Sequence, residues 1–157
     1  MNITQYGKEL IKSGDLTWKR NARNYQHTLN FNFIMEWPAE SYIFGTPQNE
    51  ETIFYISANQ TSYKSPLHFA WRTLFFYREF DNKPDLLETI SESHFEEINI
   101  ESALSIIWKS SQHWSINYKS LLPDASKAYL IWNDGMDTYL VLEDNVNYYA
   151  WNWLCTA

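Results

Sequence analysis

Between Leu29 and Trp37 the chain alternates apolar and polar positions. Leu29, Phe31, Phe33, Met35 and Trp37 fall on one side, and Asn30, Asn32 and Glu36 on the other. A period of two is that of a half-buried strand, and Pro38, which has no N–H for a ladder, is expected to end it. Residues 42–44 and 52–56 read as further strands, with 45–51 as a hairpin loop between them. The period then lengthens. Ser65-Pro66 has the form of an N-cap followed by proline in the first turn. Leu67, Ala70, Trp71, Leu74 and Phe75 recur at helical spacing, so a helix is predicted to about Phe80, where Asp81-Asn82-Lys83-Pro84 breaks it.

Further helices are expected at 3–13, stopped by Gly14, at 85–98 following Pro84, and at 100–113. Residues 15–27 carry no period, and 115–125 read as a connection. The last third reads as a three-stranded meander at 127–132, 138–142 and 146–154. Its strands are joined by Asn133-Asp134-Gly135 and Asp144-Asn145. Asn and Asp favour turns because their short side chains bond the backbone just ahead, and Gly because it tolerates positive φ. Strands, then helices, then strands, with no linker or repeat, predict one α+β domain over residues 1–157. Its expected form is a mainly antiparallel sheet with helices packed on one face and a C-terminal β-meander.

Composition narrows the function. The chain has 12 Lys and Arg against 19 Asp and Glu, a net charge of −7, and 18% aromatic residues. Abundant aromatics argue against disorder. The acidic balance argues against nucleic acid as a partner, because phosphates call for basic residues. No secretion signal is visible at the N-terminus, and there is no stretch of about 18 apolar residues, so no membrane partner is expected. Cys155 is the only cysteine, which rules out an internal disulfide and suits a reducing cytoplasm.

The charge is unevenly spread. Residues 1–30 hold five basic and two acidic side chains, so the rest of the chain carries −10. Residues 79–101 contain Glu79, Asp81, Asp85, Glu88, Glu92, Glu96, Glu97 and Glu101, with Lys83 as their one basic residue. After Lys127 there is no Lys or Arg, yet Asp134, Asp137, Glu143 and Asp144 follow. Asp85, Glu88, Glu92 and Glu96 lie at i, i+3, i+7 and i+11, so a helix over 85–98 would carry them on one stripe. Leu87, Ile90, His94 and Ile98 would face away. Like charges one turn apart cost an isolated helix about 0.2–0.5 kcal/mol per pair. The stripe is either a solvated face or a negative docking surface for a basic partner. Asp85 and Glu88 also sit where a helix N-terminus favours anions.

Catalytic signatures are missing. His27, His68, His94 and His113 are not spaced as zinc ligands, and four scattered glycines form neither a phosphate loop nor a dinucleotide fingerprint. Asp134-Gly135-Met136-Asp137 is too short for a calcium loop. His94-Phe95-Glu96-Glu97 is the one local His–carboxylate cluster, read as a surface feature rather than an acid–base pair. His68, on the first turn of an apolar helix, reads as a hydrogen-bonded structural residue. No catalytic residue, metal or cofactor is expected. In the final strand Tyr149, Trp151 and Trp153 share one face and Tyr148, Ala150, Asn152 and Leu154 the other. That is the pattern of a central strand covered on both sides, with a carbohydrate- or small-molecule-binding row as the alternative.

In size, acidity, aromatic richness and lack of active-site motifs, the chain resembles bacterial immunity proteins of contact-dependent growth inhibition and related toxin systems. The resemblance is one of overall character. It implies a non-enzymatic cytoplasmic inhibitor in a tight complex with a cognate protein toxin, often a basic nuclease, whose substrate site it blocks. The contact residues expected on charge grounds are the eight acids from Glu79 to Glu101 named above. A third reading, an enzyme built from dispersed Asp, Glu and His, calls for a concave pocket with convergent polar groups.

Overall fold

A computed structural model describes residues 2–17, 31–43, 46–77, 85–110, 116–122 and 124–156. The first helix, α1 (Ile3–Lys12), is opened by Asn2, whose side chain accepts from the Gln5 N–H at 3.0 Å. The chain leaves it through Gly14 at φ +80°, a left-handed conformation that a β-carbon would strain. β1 (Phe31–Ile43) and β2 (Thr46–Asn59) form a long antiparallel hairpin. Pro38 does not end β1: it pairs with Thr52 in mid-strand. β1 lies at one edge of the sheet, where a missing N–H is tolerated.

The expected loop at 45–51 is also corrected. Residues 46–51 belong to β2, with Ile43 opposite Thr46 and Tyr42 opposite Pro47. Glu50 and Glu51 pair with Glu40 and Ala39 on one side and with Thr156 and Cys155 on the other. A ladder made by backbone groups and closed by the distant C-terminus leaves no trace in local hydropathy. Leu29, Asn30, Phe44 and Gly45 lie outside the described residues.

α2 (Pro66–Tyr77) starts where expected: the Ser65 hydroxyl accepts from the His68 N–H at 3.0 Å, and its carbonyl accepts from the Phe69 N–H at 3.1 Å. The predicted end near Phe80 and the break at 81–84 lie outside the described residues. α3 (Leu86–Glu92), β3 (Glu96–Ile98), α4 (Ile100–Ser110) and the short α5 (Tyr118–Leu121) follow. The meander forms as predicted: β4 (Lys127–Asn133), β5 (Asp137–Glu143) and β6 (Asn147–Thr156).

Among the described residues the six strands make one sheet in the order β1-β2-β6-β5-β4-β3, antiparallel throughout. β6 joins the N-terminal hairpin to the meander, so the α+β architecture with a mainly antiparallel sheet stands. The expectation of helices on one face does not. Leu10, Phe69, Trp71, Leu74 and Ile90 of α1, α2 and α3 pack on Phe54, Ile56, Tyr139, Val141 and Ala150. Ala103 and Ile107 of α4 pack with Leu122 on the opposite face, against Ile53, Tyr55, Leu140, Leu142 and Trp151. β5 and β6 are apolar on both faces, and a strand of that kind needs cover on both sides.

His68 has the structural role expected of it. Its Nδ1 accepts from the Lys64 N–H at 3.0 Å, and its Nε2 lies 3.2 Å from the Asp15 carbonyl. The same carbonyl accepts from Arg72 at 3.0 Å, so the segment after α1 is fastened to α2. Just ahead of α2, Lys64 pairs with the Asp15 carboxylate at 2.5 Å.

Candidate functional site

The acidic segment does not form the continuous stripe that its spacing suggests. α3 stops at Glu92, and Ser93 is already extended at ψ 150°. The Ser91 and Ser93 hydroxyls donate back to the carbonyls of Glu88 and Thr89, a local competitor to further helix. Tertiary pairing completes the break. The His94 N–H donates to the Ile131 carbonyl at 2.8 Å, Phe95 stacks on Tyr129, and Glu96 and Glu97 pair with Leu130 and Tyr129 in β3. A helix over 85–98 would forfeit the edge strand. Ile90 is buried as expected of the inner face, but Leu87 is exposed.

The eight predicted contact residues therefore fall into groups. Asp85 is a cap: its carboxylate accepts from the Leu87 and Glu88 N–H groups at 3.0 and 3.1 Å. Glu88 and Glu92 lie on α3, Glu96 and Glu97 on the edge strand β3, and Glu101 in the first turn of α4. Glu79 and Asp81 lie outside the described residues. Glu88, Glu92, Glu96, Glu97 and Glu101 are all exposed. Among the described residues no Lys or Arg lies within ion-pair distance of any of them. They carry uncompensated charge facing water.

The structure adds something that spacing did not reveal. A cleft of about 430 Å³ opens beside the C-terminal end of α3, within the size range of small-ligand pockets. It is lined by Leu74 of α2, Thr89 and Glu92 of α3, His94, and Trp132, Asn133, Asp134 and Asp137 at the β4–β5 hairpin. The acids near position 90 and those after Lys127, far apart in sequence, meet here. The hairpin holds its share in place. The Asp134 carboxylate accepts from the Met136 and Asp137 N–H groups at 3.0 and 2.8 Å, and Gly135 turns the chain at φ +89°. Thr138 donates to Asn133 at 3.0 Å. Asp137, only 8% exposed, accepts from the amide of the fully buried Asn152 at 2.8 Å.

Chemically, the described part of the lining offers three carboxylates, one imidazole and one indole, with no Lys or Arg among the described residues. Among the described residues no group of three or more His, Cys, Asp or Glu is spaced to hold a metal ion. His94 lines the cleft together with Glu92, whereas Glu96 and Glu97 lie in the edge strand β3 and do not line it. His27 and His113 lie outside the described residues. Sequence reasoning did not single out Trp132 and Thr89, and it marked Asn133 only as a turn residue. The one available signal was the acids that follow Lys127 with no base among them.

The C-terminal aromatics are core. Trp151 has no exposed surface and donates from Nε1 to the Ser110 hydroxyl at 3.2 Å, and Tyr149 is buried with its hydroxyl bonded to Asp144 at 2.5 Å. Burial first, and then the Asp144 carboxylate, push the Tyr149 phenol well above its ordinary pKa. Tyr149 and Trp151 face α4 rather than solvent, so no row of exposed rings forms. Among the described residues no helix is long and apolar enough to cross a membrane. No protein-family model, curated protein or solved structure matches the chain.

Proposed function

We propose that this protein is a cytoplasmic, non-enzymatic inhibitor that captures a basic protein, a toxin nuclease domain, and blocks its substrate site with an acidic surface. The observation that carries the reading is the set of exposed, unpaired carboxylates on Glu88, Glu92, Glu96, Glu97 and Glu101. They sit on the edge strand β3 and on α3 and α4, with Glu92 also lining the cleft. A nuclease must be basic where it grips phosphates, so fixed carboxylates compete for the same ground.

The test takes the partner recovered with the chain by pull-down from the native cell and measures its cleavage of nucleic acid with and without the chain. Stoichiometric inhibition is expected. Glu88→Lys, Glu96→Lys and Glu97→Lys combined should weaken capture by about tenfold or more and flatten its salt dependence. Undiminished cleavage at saturating chain, or undiminished capture by the triple variant, overturns the proposal. Turnover of any substrate by the purified chain would favour the enzyme reading, for which the cleft supplies the required pocket.

A further inference from the structure

Three stretches of chain meet at His68, and both of its ring nitrogens are committed to them. Only 4% of the residue is exposed. Nδ1 accepts from the Lys64 N–H at 3.0 Å, in the turn ahead of α2, and Nε2 lies 3.2 Å from the Asp15 carbonyl, in the segment that leaves α1. Because Nδ1 accepts, Nε2 carries the hydrogen, and the ring that makes both bonds is neutral. A second ring proton would point at the Lys64 N–H, which is itself a donor. The charges around the ring oppose it as well. Arg72 donates to the same Asp15 carbonyl at 3.0 Å, and the Lys64 ammonium sits on the Asp15 carboxylate at 2.5 Å. That carboxylate is the one anion of the group, and Ser13 also donates to it at 2.6 Å. The Tyr63 phenol, whose ring meets the imidazole edge-on at 5.7 Å, adds no charge at neutral pH.

We propose that His68 is an acid-operated latch: neutral, it clasps the exit of α1 to the start of α2, and protonated it gives up the Lys64 N–H and lets residues 13–16 lift from α2 while the sheet stays folded. The joint is suited to opening by itself. It is made of a few polar bonds and one buried apolar side chain, Leu16, whereas the sheet is packed on both faces. Gly14, at φ +80° with open space beside it, supplies the pivot, and Leu10 keeps α1 anchored in the core behind it. Burial first, and then Arg72, hold the latched ring below its ordinary pKa. An opened ring returns to about 6.5. Below that pH the open form takes up a proton that the latched form refuses, so opening rises by up to about tenfold per pH unit until the latched ring itself titrates.

The experiment is amide hydrogen exchange of the full chain by NMR between about pH 8 and pH 5, corrected for the intrinsic chemistry of exchange. Two amides report the latch: Lys64, bonded to the ring, and Leu16, bonded to the Leu10 carbonyl at 3.1 Å. Both should lose protection by up to about tenfold per pH unit below about 6.5, while Val141 and Ala150 in the central strands exchange far more slowly at every pH. His68→Asn keeps an acceptor for Lys64 but cannot titrate, so the pH dependence should vanish at both amides. Asp15→Asn keeps the backbone carbonyl and should retain it. Lys64 and Leu16 exchanging in step with Val141 and Ala150 would show that the joint opens only with the whole fold, and would overturn the latch. Dependence that survives His68→Asn, or disappears in Asp15→Asn, overturns His68 as its trigger. Should His68→Asn fail to fold, the ring resonances of the parent chain decide: an imidazole that titrates at or above about 6.5 overturns the proposal.

Discussion

His68 is neutral by its geometry. Nδ1 accepts from the Lys64 N–H, which leaves Nε2 to carry the hydrogen donated to the Asp15 carbonyl. Burial is the main cause that lowers its pKa below the ordinary histidine value, and the nearby Arg72 acts in the same direction. The sign of the pH dependence follows. Below about 6.5 the unfolded chain takes up a proton that the folded ring resists, so the ring's contribution is whole above that pH. It is lost as the pH falls toward the lowered folded value. Urea midpoints measured between about pH 8 and pH 5 should therefore decline on the acid side. His68→Asn keeps an acceptor for Lys64, so it should cost about 1–2 kcal/mol at neutral pH and flatten that decline. An unchanged slope in the variant would assign the acid sensitivity to other groups. Asp15 contributes to acid sensitivity only at lower pH, because hydrogen bonds from Lys64 and Ser13 hold its carboxyl below the usual range.

At the scale of elements, a close approach of α1 to α3 is set by one glycine. A β-carbon on Gly7 of α1 would lie 2.6 Å from Ile90 Cγ2 and 3.0 Å from Ile90 Cδ1 of α3. Real atoms do not approach so closely, so Gly7→Ala must push α3 away or distort Ile90, at a cost of about 1–3 kcal/mol. Combining it with Ile90→Ala should recover part of that cost. A double-mutant cycle by equilibrium denaturation reads the coupling, and strict additivity would refute the contact. This contact also shows what was readable along the chain. α1, α2 and the meander were legible because caps, helical spacing and Asp-Gly turn chemistry are local. The end of α3 was not, because β3 forms only when β4 is beside it. Pro38 and residues 46–51 misled for the same reason: their partners are Thr52, and β6 a hundred residues on. Of the candidate site, the exposed acids were legible from composition. The cleft was not, since it needs Glu92 and Asp134 brought together by the β4–β5 hairpin and α3.

At the scale of the whole molecule, most acids among the described residues lack a compensating cation, and this ties stability to the proposed capture through opposite responses to salt. The chain carries −7, and among the described residues the ion pair is Lys64 with Asp15. Self-repulsion between the remaining acids destabilises the folded state, and screening relieves it over about 8–10 Å at physiological ionic strength. Sodium chloride should therefore raise the melting temperature of the free chain. If the proposed capture of a basic partner holds, the same screening weakens the field that steers it inward, so the association rate should fall steeply over the same range. Glu88→Lys, Glu96→Lys and Glu97→Lys each change the charge by two, bringing the net value from −7 to −1. Both responses should flatten together in that variant. Differential scanning calorimetry and stopped-flow association at several salt concentrations measure the two sides independently. A melting temperature indifferent to salt would mean that the acids are compensated within the fold. A salt-indifferent association rate would mean that capture is governed by shape, and the acidic surface would lose its role.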